Sequence, residues 1–292
     1  MSQEIKTIAV LGTGTMGRGI AHVSALAGYV THLFDTSAAA LQKAEATIHR
    51  NLAKGVEIGK VAAEAAEAAR QRLHLHESLT DAVAEADLVI EAVPEDMALK
   101  IRIFSEVAGA CPPHALFASN TSALSITEMA AASDRPERFA GMHFFNPVHV
   151  MKLLELVRGL QSAEETLQTM REVGVRMGKE VVLVKEAPGF VTSRINALIG
   201  NEAFRMLQEG VASAEDIDKA LKLGLNHPMG PFEMVDLVGL DVRLSILEYL
   251  HKSLGEAFRP NLLLIQHVRA GRLGRKTGRG VYTYNENGEK IG

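Results

Sequence analysis

The sequence is poor in the features that mark several large classes of protein. It holds one cysteine, Cys111, in 292 residues, which excludes an intramolecular disulfide framework and fits a reducing compartment. It has no basic excess: 31 Lys and Arg stand against 35 Asp and Glu, for a net charge of −4. No overall field therefore favours nucleic acid or an anionic membrane, although local basic clusters are compatible with that balance. No apolar run approaches the roughly 18 to 20 residues that cross a bilayer, so no membrane partner is expected. The start, MSQEIKTIAV, is polar and leads straight into a strand pattern without the signature of an export signal, so the expected location is the cytoplasm. His22, His32, His49, His74, His76 and His114 show no metal-ligand spacing with carboxylates or cysteine, and no metal site is expected. There is no internal repeat, and the only biased tract is VAAEAAEAAR at 61–70, which reads as a partly solvated helix.

What is present is enough apolar material, 47% of residues against 23% charged, for one large domain or two ordinary ones. Up to about residue 186, short β-branched runs alternate with Ala-rich stretches: IAVLG, GIAHVSALAG, VTHLFD, SAAALQKAEATIHRNLAK. Such alternation predicts βαβ units and a parallel sheet. Further strands are expected at Leu88–Val93, Leu116–Ser119, Phe139–Phe145, Lys152–Val157 and Glu180–Val184. After APGFV (187–191) strand signals almost vanish, and NALIGNEAFRMLQEG and GLDVRLSILEYLHKSL carry apolar residues at helical spacing. The expectation is an α/β domain over 1–186 and an all-helical domain over 187–292, joined at Glu186–Val191, where Pro188 and Gly189 punctuate the chain.

The first chemistry lies at the N-terminus. Gly12, Gly14 and Gly17 form GTGTMG between the strand IAVL and the helix MGRGIAHVSALAG, the context that a dinucleotide fingerprint requires. Gly12 permits a tight turn, Gly14 lets the backbone approach a pyrophosphate, and Gly17 allows close packing of helix on strand. Met16 sits within the same turn and is grouped with the cofactor contacts. The helix N-terminus then offers unpaired N–H groups to phosphate. Asp35 ends the next strand, twenty-one positions after Gly14, about where a carboxylate bonds a ribose 2′-OH and repels the extra phosphate of NADP. Thr36 and Ser37 are not basic, so the expected domain is a doubly wound, Rossmann-type sheet that binds NAD(H).

A second stretch, GMHFFNPVHVMKLLELVRG (141–159), puts His143 at the edge of one apolar run and Glu155 twelve positions later inside another. Each is costly to bury alone, so they either face water separately or find each other.

GTGTMGRGIA, EAVPED (91–96), SNTSALSI (119–126), HFFNPVHVMKLLELV (143–157), APGFV, LGLNHPMGPFEMVDLVGLD (223–241) and GRKTGRGVY (274–282) together resemble, in order and over essentially the whole chain, the signatures of the 3-hydroxyacyl-CoA dehydrogenases, especially the short-chain 3-hydroxybutyryl-CoA type. The resemblance implies reversible hydride transfer between NAD(H) and C3 of an acyl-CoA. It implies His143 as the base, a role that suits an imidazole because it titrates near neutrality, and Glu155 as its paired carboxylate. Ser122 falls at the family's substrate serine. Asn120, in the same turn, is a cofactor-side or purely structural residue. Glu95 and Lys100 match positions near the nicotinamide, the alternative being a solvated pair of helix charges. Lys54 and Lys60 lie where CoA phosphate contacts cluster, or are ordinary surface charge. Arg272, Arg275, Lys276 and Arg279 resemble the family's terminal loop, read as folding and interface structure first. One position departs from the family: Ser193 stands where Asn is usual, with Asn196 one turn further along, which puts a substrate contact in question more than the reaction. The helical domain resembles the part through which the family forms homodimers. Rival readings are a non-enzymatic dinucleotide-binding relative and a dehydrogenase of free β-hydroxy acids. The second would need a helix-borne lysine that SRINALIGNEA lacks.

Overall fold

The structure is a computed structural model and describes residues 3–291. The chain forms two compact units, the first ending at Glu186 and the second beginning at Ala187.

The first unit alternates strands and helices: β1 (Thr7–Leu11), α1 (Thr15–Leu26), β2 (Val30–Phe34), α2 (Ala38–Glu57), α3 (Ala63–Gln71), β3 (Leu73–His76), α4 (Leu79–Val83), β4 (Leu88–Glu91), α5 (Met97–Ala110), β5 (Leu116–Ser119), α6 (Ile126–Ala131), β6 (Phe139–Phe144), β7 (Leu153–Arg158), α7 (Glu164–Arg176) and β8 (Glu180–Lys185). They build one eight-stranded sheet in the order β3-β2-β1-β4-β5-β6-β7-β8. Every neighbouring pair is parallel except β6 with β7. The expected doubly wound sheet is therefore present, with one reversal near its far end. Central strands are covered on both faces, and Ile8, Val10, Leu88 and Ile90 have no exposed surface, which is why they read as continuous apolar runs. The order turns back between β1 and β4, and the carboxyl ends of strands at such a switch point form the usual ligand crevice.

β3 is not among the strands that the sequence pattern predicts. It is a four-residue edge strand, LHLH, in which only Leu73 is buried, so its pattern is too short and too polar to stand out. His32 and His76 meet on this edge at 2.8 Å between ring nitrogens.

The second unit holds α8 (Thr192–Glu209), α9 (Ala214–Gly224), α10 (Pro231–Val238), α11 (Leu240–Leu254) and α12 (Leu262–Arg269). They pack around Phe204, Phe232, Leu247, Leu250 and Leu264, of which Phe204, Leu247 and Leu250 belong to the runs with helical spacing. Two buried aspartates anchor the terminal segment. Asp236 accepts from the N–H groups of Val281 and Tyr282 and the hydroxyl of Tyr284, each at 2.9 Å. Asp218 accepts from the Phe232 N–H at 2.8 Å and the Tyr282 hydroxyl at 2.9 Å. The nearby basic cluster is engaged in the same fold: Arg272 Nε donates to Gly280 O at 2.9 Å, Arg275 lies over the Tyr284 ring, and Lys276 pairs with Asp241 at 2.6 Å.

Candidate active site

The turn after β1 is built for a backbone approach. Gly12 has φ +100° and lies against the end of β4, where a Cβ would stand 2.9 Å from Ala92 O. A Cβ on Gly17 would come within 1.8 Å of Gly12 O, so α1 can start this close to β1 only with glycine there. Gly14, in contrast, faces open space, and a methyl group added there would meet nothing within 4 Å. It caps α1 without any side-chain hydrogen bond, leaving the first N–H groups of a twelve-residue helix for a ligand. The Met16 side chain packs half-buried against the core, so what it can present to a cofactor is its main chain. At the end of β2, Asp35 accepts from Thr13 N–H (3.1 Å), Thr13 Oγ1 (2.6 Å) and Ser37 N–H (3.1 Å). Those bonds hold its carboxylate beside the glycine turn. An open turn, an uncapped helix start and a fixed carboxylate fit the pyrophosphate and ribose of NAD.

At the end of β4 a buried charge cluster organises the next turn. Glu91, with no exposed surface, accepts from Lys100 Nζ at 2.6 Å, Ser119 Oγ at 2.5 Å and Val93 N–H at 2.7 Å. Burial pushes its carboxyl up, against the pull of Lys100 and the two further donors. Lys100 is 1% exposed and also reaches Glu95 at 3.3 Å. The solvated alternative is thus corrected for Lys100, whose ammonium is buried between two carboxylates, whereas Glu95 precedes α5 and keeps 40% of its side chain exposed. Glu95 in turn accepts from Thr121 Oγ1 (2.5 Å), Ser122 N–H (2.9 Å) and Ser122 Oγ (3.3 Å). Lys100 therefore acts on the Ser122 turn through Glu95. Asn120 ties that turn to β6, its Oδ1 accepting from Phe144 N–H at 2.9 Å, one residue past His143.

His143 and Glu155 are directly opposed partners in the antiparallel β6–β7 register. Nδ1 lies 2.8 Å from Glu155 Oε2, with the residues 6% and 1% exposed. A carboxylate only accepts, so Nδ1 carries the proton and Nε2 is the basic nitrogen. Phe145 stacks obliquely on the imidazole at 4.5 Å. The loop that reverses the chain between the two strands is pinned by Lys179, whose ammonium donates to the carbonyls of Val148 and Met151. A fixed imidazole with a buried carboxylate behind it is an arrangement for moving a proton.

The family profile described as "3-hydroxyacyl-CoA dehydrogenase, NAD binding domain" matches residues 7–187, and that of the corresponding "C-terminal domain" matches residues 189–284. The chain belongs to the 3-hydroxyacyl-CoA dehydrogenase family. It is similar to the 3-hydroxybutyryl-CoA dehydrogenase of Bradyrhizobium diazoefficiens, 47% identical over 97% of both chains. It is also similar to the "Probable 3-hydroxybutyryl-CoA dehydrogenase" of Bacillus subtilis, 45% identical over 97% of this chain and 99% of the relative. The crystal structure of (S)-3-hydroxybutyryl-CoA dehydrogenase from Ralstonia eutropha superposes with a TM-score of 0.92 at 43% identity, covering 97% of this chain and all of that one. The protein is an NAD-dependent 3-hydroxyacyl-CoA dehydrogenase, an oxidoreductase.

The remaining candidates of this dehydrogenase are carried by other elements. Lys54 is exposed on α2 and pairs with Glu57 at 2.8 Å, and Lys60 is exposed in the turn after it. Ser193 is half-buried in the first turn of α8 in the second unit. Asn196 lines an apolar groove of about 340 Å³ there, with Val191, Ile195 and Met229. Glu91 and Thr121, which organise the site, are not among the residues expected from the sequence. Glu91 lies within LVIEAV (88–93) and carries the same signal as Glu155, a lone carboxylate inside an apolar run. Among the described residues no helix is long and apolar enough to cross a membrane, and no group of three or more His, Cys, Asp or Glu is arranged to hold a metal.

Proposed function

We propose that this enzyme interconverts (S)-3-hydroxybutyryl-CoA and acetoacetyl-CoA, with His143 as the base. The observation that carries the reading is the buried His143–Glu155 contact of 2.8 Å. Oxidation at C3 removes a hydroxyl proton and a hydride. NAD, when bound, supplies the hydride acceptor. His143 takes the hydroxyl proton at Nε2 and returns it in the reverse direction. Glu155 holds the imidazole in the tautomer that leaves Nε2 basic and balances the positive charge it gains. Ser122 holds the reacting oxygen through its hydroxyl, and Glu95 and Lys100 hold Ser122. Gly12, Gly14, Gly17 and the main chain at Met16 receive the pyrophosphate and Asp35 the ribose. Asn120 supports the turn beside them. Lys54 and Lys60 are accessible to the phosphates of CoA, and Ser193 supplies a shorter polar contact where the family has Asn. The preference for a short acyl chain is supported by the names of the relatives.

A homodimer formed through the second unit accounts for the apolar side chains it leaves exposed, among them Leu223 at 78% and Leu225 at 67%. The composition favours the cytoplasm as its location. The test is NADH oxidation with 3-oxoacyl-CoAs of increasing length. Acetoacetyl-CoA should give the highest kcat/KM, and His143→Ala should lower kcat by about 10² to 10⁴ while NADH binding stays near native. A histidine variant that turns over like the native enzyme refutes the assignment.

A further inference from the structure

Glu186 is the last residue of the first unit, and nothing in the reaction above uses it. Its carboxylate nevertheless sits at the start of α6, on the loop that carries Ser122. One oxygen accepts from Ser125 Oγ at 2.5 Å. The other accepts from the Thr127 N–H at 3.1 Å and from the Thr127 hydroxyl. Ser125 is itself the N-cap of α6, accepting from Glu128 N–H at 3.1 Å, so the carboxylate binds where the helix dipole favours negative charge. Thr127 Oγ1 also accepts from Leu160 N–H at 2.9 Å, and the Glu186 N–H donates to Arg158 O at 2.9 Å. Both of those tie Glu186 to the end of β7, the strand that carries Glu155. Glu95 holds the near end of the same loop at Thr121 and Ser122. The segment from Thr121 to Thr127 is thus suspended between two carboxylates, with Ser122 inside the span.

We propose that Glu186 is a positioning residue for Ser122. Glu95 sets the direction of the serine hydroxyl, and Glu186 sets the path of the loop by locking its far end to the β7 strand. Charge-assisted bonds from two hydroxyls and an N–H make this a stiff anchor rather than an ordinary helix cap. Displacement of a positioned group by about 1 Å is enough to cost up to 10²-fold in rate, so loss of the anchor should be read in turnover.

The inference rests on the reading of Ser122 as the substrate-holding hydroxyl, and a double-mutant cycle separates the two. Glu186→Ala, Ser122→Ala and the double variant are assayed with acetoacetyl-CoA and NADH, with NADH affinity measured separately by fluorescence. Glu186→Ala should lower kcat about 10- to 100-fold without changing NADH affinity, and should cost less than about twofold more in the Ser122→Ala background. Glu186→Gln, which keeps an acceptor oxygen, should lie between native and alanine, and replaces it in the cycle if the alanine variant does not fold. Native turnover in Glu186→Ala, or the same fold loss with and without Ser122, overturns the proposal. If Ser122→Ala itself turns over like the native enzyme, the reading of Ser122 falls and the proposal falls with it. If only Ser122→Ala is impaired, the role of Glu186 alone is refuted.

Discussion

Glu155→Gln tests the central pair with almost no change of shape. The amide keeps an oxygen that accepts from His143 Nδ1–H across the same 2.8 Å, so the tautomer survives, and what is lost is the negative charge behind the imidazolium. The lower bound follows from the hydrogen bond alone. A bond to a charged group contributes about 1.5–3 kcal/mol and a neutral one about 0.5–1.5 kcal/mol, a difference of about 1 kcal/mol. The upper bound follows from the attraction of unit charges about 4 Å apart at an effective dielectric of about 20, which is about 4 kcal/mol. High screening does not apply, because the residues are 6% and 1% exposed. The kcat for oxidation of 3-hydroxybutyryl-CoA at saturating NAD should therefore fall roughly 5- to 10³-fold, less than in His143→Ala. In a His143→Ala background the same change should cost little, since no imidazolium remains to stabilise. Steady-state NADH formation gives the rates, and unchanged NADH affinity and Tm show that the site is otherwise intact. A folded Glu155→Gln enzyme within twofold of native kcat would refute the electrostatic role.

Acid should weaken the fold through His22, which is 3% exposed, stacks on His149 and leaves Nδ1 without a hydrogen-bond partner. Burial foremost, then the neighbouring His149 and Lys179, lower its pKa to about 4. The unfolded chain takes up the proton near pH 6.5 and the folded one does not, so stability is lost as pH falls from about 6.5 toward 4, by about 2 kcal/mol at pH 5. Tm should accordingly drop less between pH 7 and pH 5 in His22→Phe than in the native protein, and equal drops would contradict this account. At the glycine turn, Gly17→Ala should destabilise the protein because its methyl meets Gly12 O at 1.8 Å. Gly14→Ala should fold with native Tm and bind NADH at least about tenfold more weakly, or 1.4 kcal/mol. Native NADH affinity in Gly14→Ala would show that the pyrophosphate does not pass there.

Short-range pattern is what the sequence by itself determined. GTGTMG between a strand and a helix, the β-branched runs of the sheet and the helical spacing after APGFV each depend on neighbours a few residues apart, and the backbone obeys them: β1, the glycine turn and α1 follow directly. The family was legible for the same reason, since its signatures are contiguous. Edge strand β3 was not, because four residues with one buried side chain carry too little periodicity to outweigh their polarity. The residue pattern alone leaves open whether His143 and Glu155 meet, although the family resemblance implies the pair, and the antiparallel register of β6 and β7 is what brings them together. A slip of one residue would have turned Glu155 to the other face of the sheet. The fate of the charges was likewise a tertiary matter. Lys100 is buried because Glu91 and Glu95 converge on it from different points of the chain. Lys276 pairs with Asp241, and the terminal segment folds back onto Asp218 and Asp236. A charge can be buried only where its partners are, and those partners come from segments that no local pattern connects.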